Sequence, residues 1–394
     1  MRPSALRVTA ALLYAAFLLL PLACAAPPSP YLTRLPSDLR REPEIHVLVA
    51  SAVSPVVSRG GEMEISAAGR TLLRSAARPG VAFSSSGGSV VLAGRRLAPV
   101  VRLEGSFVLD CAGVPLEPPL LMRASSGGVD VAAVMPFEDY VARVVQGEMP
   151  LSWPSEALKA QAVAARSYAL TFLLRRGRSA FMHVGATPHT HQTVRFEPLD
   201  DRAVTAAERT AGEVLVYRGR LLMSFYHAVS GGRTASAGSV FDGETILPLS
   251  SVRLPEPENA PHSAWRHAVS WPAACRLLFD LSPAPSLLDV SVVRGRDDTV
   301  LSVRFRTSRG PLSVSARRLR AVLGADNIKS NCFRVDLSKG GLLVFSGRGY
   351  GHRVGMSQYG AKALALRGFD HVSILRTFYP GASVVRVYRI GGGR

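Results

Sequence analysis

Glu148 lies in the run Gly147-Glu148-Met149-Pro150 and is the only acid between Asp139 and Glu156 in an otherwise apolar stretch. The residues before it predict a short helix, so its carboxyl falls where the partial negative charge of a helix C-terminus disfavours ionisation. Partial burial pushes the same way. A carboxyl kept protonated near neutral pH is what a general acid needs; a helix-capping or salt-bridged Glu is the competing reading. A second constellation, Tyr226-His227-Ala228-Val229-Ser230-Gly231-Gly232-Arg233-Thr234, reads as a strand entering a polar Gly pair. Gly231 and Gly232 let backbone amides approach a ligand closely, and Ser230 and Thr234 suit sugar hydroxyls. No G-x-S-x-G elbow is present, which argues against a serine hydrolase, and an ordinary strand turn is the alternative.

The third constellation runs from Gly347 to Ala361, with Gly at 347, 349, 351 and 355. This misses the G-x-G-x-x-G spacing of a dinucleotide site. It suggests instead a tight wall that presents His352, Ser357 and Gln358, or else a packing loop with a satisfied His. The fourth is His183, His189 and His191, three imidazoles close enough in sequence to bind zinc. Loop histidines without Cys or acid partners are more often solvated, so no metal is expected.

These residues need a scaffold, and composition bounds it. A chain of 394 residues suits two or three packed units. With 47% hydrophobic and 19% charged residues, global disorder is excluded. Beyond the N-terminus no apolar run of about 18 residues occurs, which argues against a multi-pass membrane protein. The net charge is +18, but only Lys159, Lys329, Lys339 and Lys362 are lysines and the rest is Arg scattered along the chain. A nucleic-acid binder shows a dense basic stripe, so no nucleic-acid partner is expected. An anionic wall polymer or membrane surface fits a diffuse field better, and a bias toward Arg codons accounts for part of the excess.

The N-terminus gives an address. Arg2 and Arg7 precede an apolar run, Val8 to Leu20, that ends in Pro21-Leu22-Ala23-Cys24-Ala25-Ala26. That is the layout of a secretory signal. Cleavage near Ala25 or Ala26, a lipid on Cys24, and retention as a single anchor all stay open. Each puts the remainder in the periplasm or cell envelope. Cys111, Cys275 and Cys332 then allow one disulfide, and the lack of a CxxC pair excludes a four-Cys zinc site.

The expected organisation is a signal or anchor at 1–26, a Pro-rich linker at 27–44, a β-rich subdomain at 45–130 and a mixed α/β body at 131–390. In the β-rich part, Ile45 to Ala50 is a strand candidate, and short alternating runs from Glu62 to Asp110 suggest hairpins. Val129 to Val134 is another strand. Pro136, Glu138 and Asp139 open a helix that Gly147 is expected to stop. A longer Ala-rich helix begins at Pro154 and ends with Arg175-Arg176-Gly177, which the helix dipole and a glycine C-cap both favour. Strands are expected at Glu213 to Tyr217, at Leu221 to Val229, and within Asp289 to Ser315. Helices follow at Ser357 to Arg367 and His371 to Phe378, and a last strand at Ser383 to Tyr388. The fold class is α+β.

Three of these runs carry a resemblance. Pro136-Phe137-Glu138-Asp139-Tyr140-Val141 through Gly147-Glu148-Met149-Pro150, then Trp153-Pro154 and Glu156 to Ala169, resembles the signature of the SpoIID/LytB family. The Ser230 to Thr234 loop, the Gly347 to Ala361 segment and the Ile374-Leu375 to Tyr379-Pro380-Gly381 end recur there in the same order. The likeness covers about residues 131 to 388. It implies a lytic transglycosylase on peptidoglycan glycan strands, preferring strands stripped of stem peptides, with Glu148 matching the family's catalytic Glu. One carboxyl then suffices, because the sugar's own 6-hydroxyl attacks in place of water. Gln161 and Tyr168, seven residues apart on one helix face, are expected to shape the groove. Arg166 is counted with the substrate-binding residues, or else anchors the helix. Ser230, Gly231, Gly232, His352, Ser357 and Gln358 complete the expected glycan contacts.

Two departures from the family pattern stand out. Arg353 follows His352 where members usually have Gly, which would place a cation in the groove. Zinc-bearing members carry Cys and His in the stretch matching His183 to Gln192, and Cys is absent here. The alternative function is a non-enzymatic glycan-binding protein that stimulates a partner cell-wall amidase.

Overall fold

The computed structural model describes residues 29–187, 191–241, 243–254 and 260–390. Residues 1–26, expected as a signal or anchor and containing Cys24, lie outside them. Among the described residues no helix is long and apolar enough to cross a membrane.

The fold is mixed α+β, as expected, and three apolar clusters organise it. The first strand of the main sheet, Glu44–Val53, pairs antiparallel with Gly128–Pro136. The latter is buried along most of its length, as a central strand covered on both faces should be. The sheet continues through Leu120–Ser125, Val100–Gly105, Gly61–Ala67 and Arg70–Ala77, and Val184–Gly185 adds the opposite edge in parallel. Ile65, Phe83, Leu103, Phe107, Leu109 and Met122 form a separate N-terminal core over this half of the sheet. The segment expected as a linker is built in instead. Tyr31 and Leu39 are buried, and Leu32–Thr33 pairs with Leu221 and Leu222.

The strand Gly128–Pro136 delivers the chain into helix α1 (Phe137–Glu148), with Pro136 as its N-cap residue and Glu138 and Asp139 in the first turn. Helix α2 (Ser155–Arg176) starts one residue later than expected, with Pro154 as N-cap. Ala157, Ala160, Ala162, Ala164, Ala165 and Ala169 are fully buried, so α2 is a central helix, with α1 and α3 (Asp201–Arg209) packed against it. A short α4 (Ala237–Phe241) follows later in the chain. The expected strand from Leu221 to Val229 is two strands, Arg220–Leu222 and Tyr226–His227. Between them the chain changes sheets. The Ser224 hydroxyl donates to the Ala164 carbonyl of α2 at 2.7 Å and pins the crossover. Tyr226–His227 then pairs in parallel with Met356–Ser357, which joins the second and third sequence constellations.

Between those two strands the chain makes an insert with its own core. Trp265–Ser270, α5 (Trp271–Phe279), two three-stranded sheets and α6 (Ala316–Leu323) bury Trp271, Leu278, Phe305, Leu319, Phe333 and Phe345 together. After it come α7 (Gln358–Leu366) and α8 (His371–Phe378). Cys111, Cys275 and Cys332 are all free and buried, so the allowed disulfide does not form among the described residues.

Candidate active site

Helix α1 does not stop at Gly147. It runs one residue further, and Glu148 is its last member. The glycine serves a close approach instead: a Cβ at 147 would stand 2.5 Å from the Thr193 carbonyl oxygen. That clearance lets the loop after residue 190 lie over the end of α1, where the Thr193 amide donates to Glu148 Oε1 at 2.6 Å. Gly147→Ala is therefore expected to push the loop off the carboxylate. A cost of about 1–3 kcal/mol in thermal melts is expected from overpacking, with about tenfold or greater loss of activity. Unchanged melting and activity would show that the crossing gives way freely.

The second carboxylate oxygen, Oε2, accepts from Gln358 Nε2 at 3.3 Å. A hydrogen bond from the Tyr226 hydroxyl also reaches the carboxyl. That hydroxyl is oriented by a chain of neighbours. Tyr140 donates to Gln192 Oε1, and Gln192 Nε2 donates to the Tyr226 oxygen at 2.8 Å, which leaves the Tyr226 proton for Glu148. Burial raises the Glu148 pKa, the bonds from Thr193, Gln358 and Tyr226 oppose it, and the net direction is up.

Glu148 opens on a cavity of about 290 Å³ whose walls include Tyr168, His191, Phe225, Tyr226 and His352. Desolvation holds both His191 and His352 at about 4, and holds buried His227 well below the usual histidine range. Burial pushes the Tyr168 phenol up to about 12. At neutral pH these groups are uncharged, and Glu148 is the only acid among the described residues of the wall.

Of the residues singled out in the sequence, Tyr168, His352 and Gln358 gather around Glu148. Gln161 does not line this cavity; it is fully buried in α2, and neither polar atom of its amide has a hydrogen-bond partner. Arg166 is not in the groove either. Its guanidinium is fully buried and makes a two-bond ion pair with Glu138, at 3.0 and 2.6 Å. Gly231 packs against Arg348 and Gly349, and Ser230 lies against Gly349; neither these two nor Gly232 lines the cavity, and Thr234 bonds the Val252 backbone. Ser357 caps α7, accepting from the Gly360 amide at 3.2 Å.

Arg353 takes the left-handed backbone of a glycine, with φ +67°. Its side chain points no cation into the groove. It is buried, donating to the Ser230 carbonyl at 2.9 Å and the Arg233 carbonyl at 2.7 Å, and so ties the second constellation to the third. The bonds a glycine could not make offset the backbone cost. Gly355, at φ +70°, tolerates no such exchange, because its Cβ would stand 2.0 Å from the Phe225 carbonyl oxygen.

The residues around Glu148 that sequence reasoning passed over are Gln192, Thr193, Tyr226 and Phe225. Tyr226 stood in a constellation but was read as strand. A hydrogen-bonding pair, Gln192-Thr193, directly after a His-rich loop was the available signal for the other wall.

His183 and His191 each have partners of their own. His183 is stacked on His46 at 4.5 Å, and its Nδ1 accepts from the His46 amide at 2.9 Å. His191 accepts from the Gly185 amide at 3.0 Å. His189 lies outside the described residues. Among the described residues no three His, Cys, Asp or Glu side chains converge as metal ligands. In this stretch His183 and His191 commit ring nitrogens to backbone groups, and no Cys is present.

Residues 125–217 match the family model described as stage II sporulation protein. The chain is 30% identical over 262 residues to an uncharacterized protein of Brachyspira hyodysenteriae, covering 64% of this chain and 68% of that one. It is 31% identical over 295 residues to the amidase enhancer of Bacillus subtilis, covering 61% of this chain but only 39% of that protein. Stage II sporulation protein D of Bacillus amyloliquefaciens is 25% identical over 269 residues, with 64% and 74% covered.

Proposed function

The chain belongs to the SpoIID/LytB family, and from that premise we propose that it cleaves the glycan strands of peptidoglycan as a lytic transglycosylase. The observation that carries this reading is the solitary carboxyl. Hydrolysis of a glycoside ordinarily uses two carboxylates, one as acid and one as base or nucleophile. Around Glu148 the described wall offers no second one. One carboxyl is enough if the sugar supplies its own nucleophile. Protonated Glu148 gives its proton to the glycosidic oxygen as the bond from the N-acetylmuramic acid C1 breaks. The carboxylate then takes the proton of that sugar's 6-hydroxyl as its oxygen closes on C1. A 1,6-anhydro ring forms and no water is consumed. Burial readies Glu148 for the first step, and the bonds from Thr193, Gln358 and Tyr226 stabilise the anion that exists between the two.

A pH dependence follows. Cleavage requires the protonated form, so the rate falls as pH rises through the elevated Glu148 pKa. Tyr226→Phe removes a bond that favours the anion and is expected to move this alkaline limb to higher pH. A pH–rate profile of both proteins checks it, and a limb that stays put or moves down would exclude the assigned role of Tyr226.

The product identifies the reaction. Glycan strands, intact and amidase-stripped, are incubated with the protein and analysed by mass spectrometry. Anhydro ends support the transglycosylase; reducing ends would mean a hydrolase. The similarity to an amidase enhancer supports a second reading, a glycan-binding protein that stimulates a cell-wall amidase. Binding without cleavage, together with faster turnover by an added amidase, would favour it. In either case the basic, apolar and small-residue N-terminus supports a place in the cell envelope.

A further inference from the structure

The first two residues of the third constellation, Gly347 and Arg348, do not line the Glu148 cavity; they line another, of about 410 Å³, in the insert. There Trp265, Gly347 and Phe333 stand in register on three adjacent strands, with Gly347 in the middle. The Trp265 indole lies over that glycine, where a Cβ would stand 2.2 Å from Cζ2. Trp265 lines the cavity and is 7% exposed, and its indole N–H has no hydrogen-bond partner. A buried donor left unmet is costly, and one beside a cavity asks for an acceptor from outside the chain.

The charges of the wall say which acceptor. Arg294 is spent on the protein, with Nη2 donating to the Phe333 carbonyl at 2.7 Å and Nη1 standing 3.2 Å from the Asp298 carboxylate. Asp298 is the only acid among the described residues of the wall, and that pairing neutralises it. Arg348 differs: it is exposed, and among the described residues its guanidinium makes no hydrogen bond or ion pair. Arg334 has an exposed contact from Nε to Asp336 at 3.7 Å, which leaves its two Nη groups open. Two open guanidinium groups and an unmet indole N–H are all donors, and two of the three carry charge. An oxyanion satisfies such a set, whereas a neutral carbonyl leaves the charges unanswered.

We infer that this cavity is an oxyanion site, in which Arg348 and Arg334 take a phosphate or carboxylate group and Trp265 Nε1 donates to one of its oxygens. Arg348 lies three residues before Gly351, which lines the Glu148 cavity, so the two walls come within about 11 Å of each other at these residues. A strand held at Glu148 can therefore offer the site an anionic group borne a few sugar rings from the bond that breaks. That placement rests on the glycan-strand reading; the site itself does not.

The test uses the full chain labelled with nitrogen-15 tryptophan, which gives three indole N–H signals, from Trp153, Trp265 and Trp271. The Trp265→Phe variant identifies the one in the site. Titration with inorganic phosphate, and separately with acetate, is expected to move the Trp265 signal saturably and leave the other two in place. The tighter anion names the class of group the site takes. N-acetylglucosamine, and chloride at matched ionic strength, are expected to move nothing. Arg348→Ala and Arg334→Ala should each weaken the tighter anion about tenfold, as loss of a charge-assisted bond implies. Melting temperature should not change, because both side chains are exposed. A Trp265 signal that ignores both anions, that follows chloride or the sugar equally, or that keeps its affinity in both variants overturns the site. No glycan enters this titration, so that failure leaves the reading of Glu148 untouched. In the Glu148→Gln chain, strands carrying the favoured group should bind more tightly than strands lacking it, and equal binding would detach the site from the groove.

Discussion

Glu148→Gln is expected to lower glycan cleavage by about 10³–10⁴-fold, the upper part of the range for general acid–base catalysis, because one carboxyl serves both proton transfers. The fold should not suffer. Gln keeps an oxygen for the Thr193 amide and retains the volume that packs against the loop. The sign of the stability change follows from the raised pKa. The folded protein holds the Glu148 proton more tightly than the unfolded chain. The group's stabilising contribution is therefore full below its unfolded pKa and lost as pH rises through the folded one. Above the folded-state pKa the wild type bears the cost of a half-buried anion that Gln does not. The variant should melt at the same temperature or slightly higher, and with less pH dependence. Turnover within tenfold of wild type, measured on stripped strands, would remove Glu148 from the chemistry.

The second large effect falls on stability. Arg166→Met leaves the Glu138 carboxylate buried without its cation, and removal of one partner of such a pair costs about 3–5 kcal/mol. For a chain of 394 residues that corresponds to a fall in melting temperature of roughly 4–6 °C. Glu138 Oε1 also accepts from the Gly212 amide at 3.1 Å and the Tyr388 hydroxyl at 2.7 Å, and Arg166 donates to the carbonyls of Ala207 and Glu213. The pair therefore joins α1, α2, α3 and the C-terminal strand region at one point. Arg166→Met with Glu138→Leu should recover part of the loss, because no lone charge then remains. At a temperature where each variant is folded, KM should be near that of the wild type. A raised KM with unchanged melting would return Arg166 to the glycan groove, where the sequence alone had placed it among other options.

Local chemistry made most elements legible. Glu213–Tyr217 and His371–Phe378 form with the expected bounds, because alternation, helical period and flanking turns agree there. Glu148 was legible for a similar reason: an isolated acid at a helix end is chemically conspicuous. What failed needed partners distant in sequence. Gly147 looks like a helix stop, and only the loop at Thr193 explains why it stays helical. Arg353 looks like a groove cation until the Ser230 and Arg233 carbonyls are seen beneath it. Alternating strands from 287 to 315 announce sheet, but alternation does not say which core a strand joins, so the insert went unseparated from the body.

That insert carries a further consequence, for the order in which the protein assembles. Ser357 bonds the Ala228 carbonyl across 129 positions of sequence, and the adjacent strand pair is what brings Gln358 to Glu148. Closing so long a flexible loop is entropically expensive, and each halving of the loop returns about 0.6 kcal/mol. A core that condenses first, around Phe305 and Phe345, converts most of that length into a compact body whose ends already lie near each other. Were the insert to condense first, its core side chains would set how quickly Glu148 acquires its Gln358 partner after synthesis.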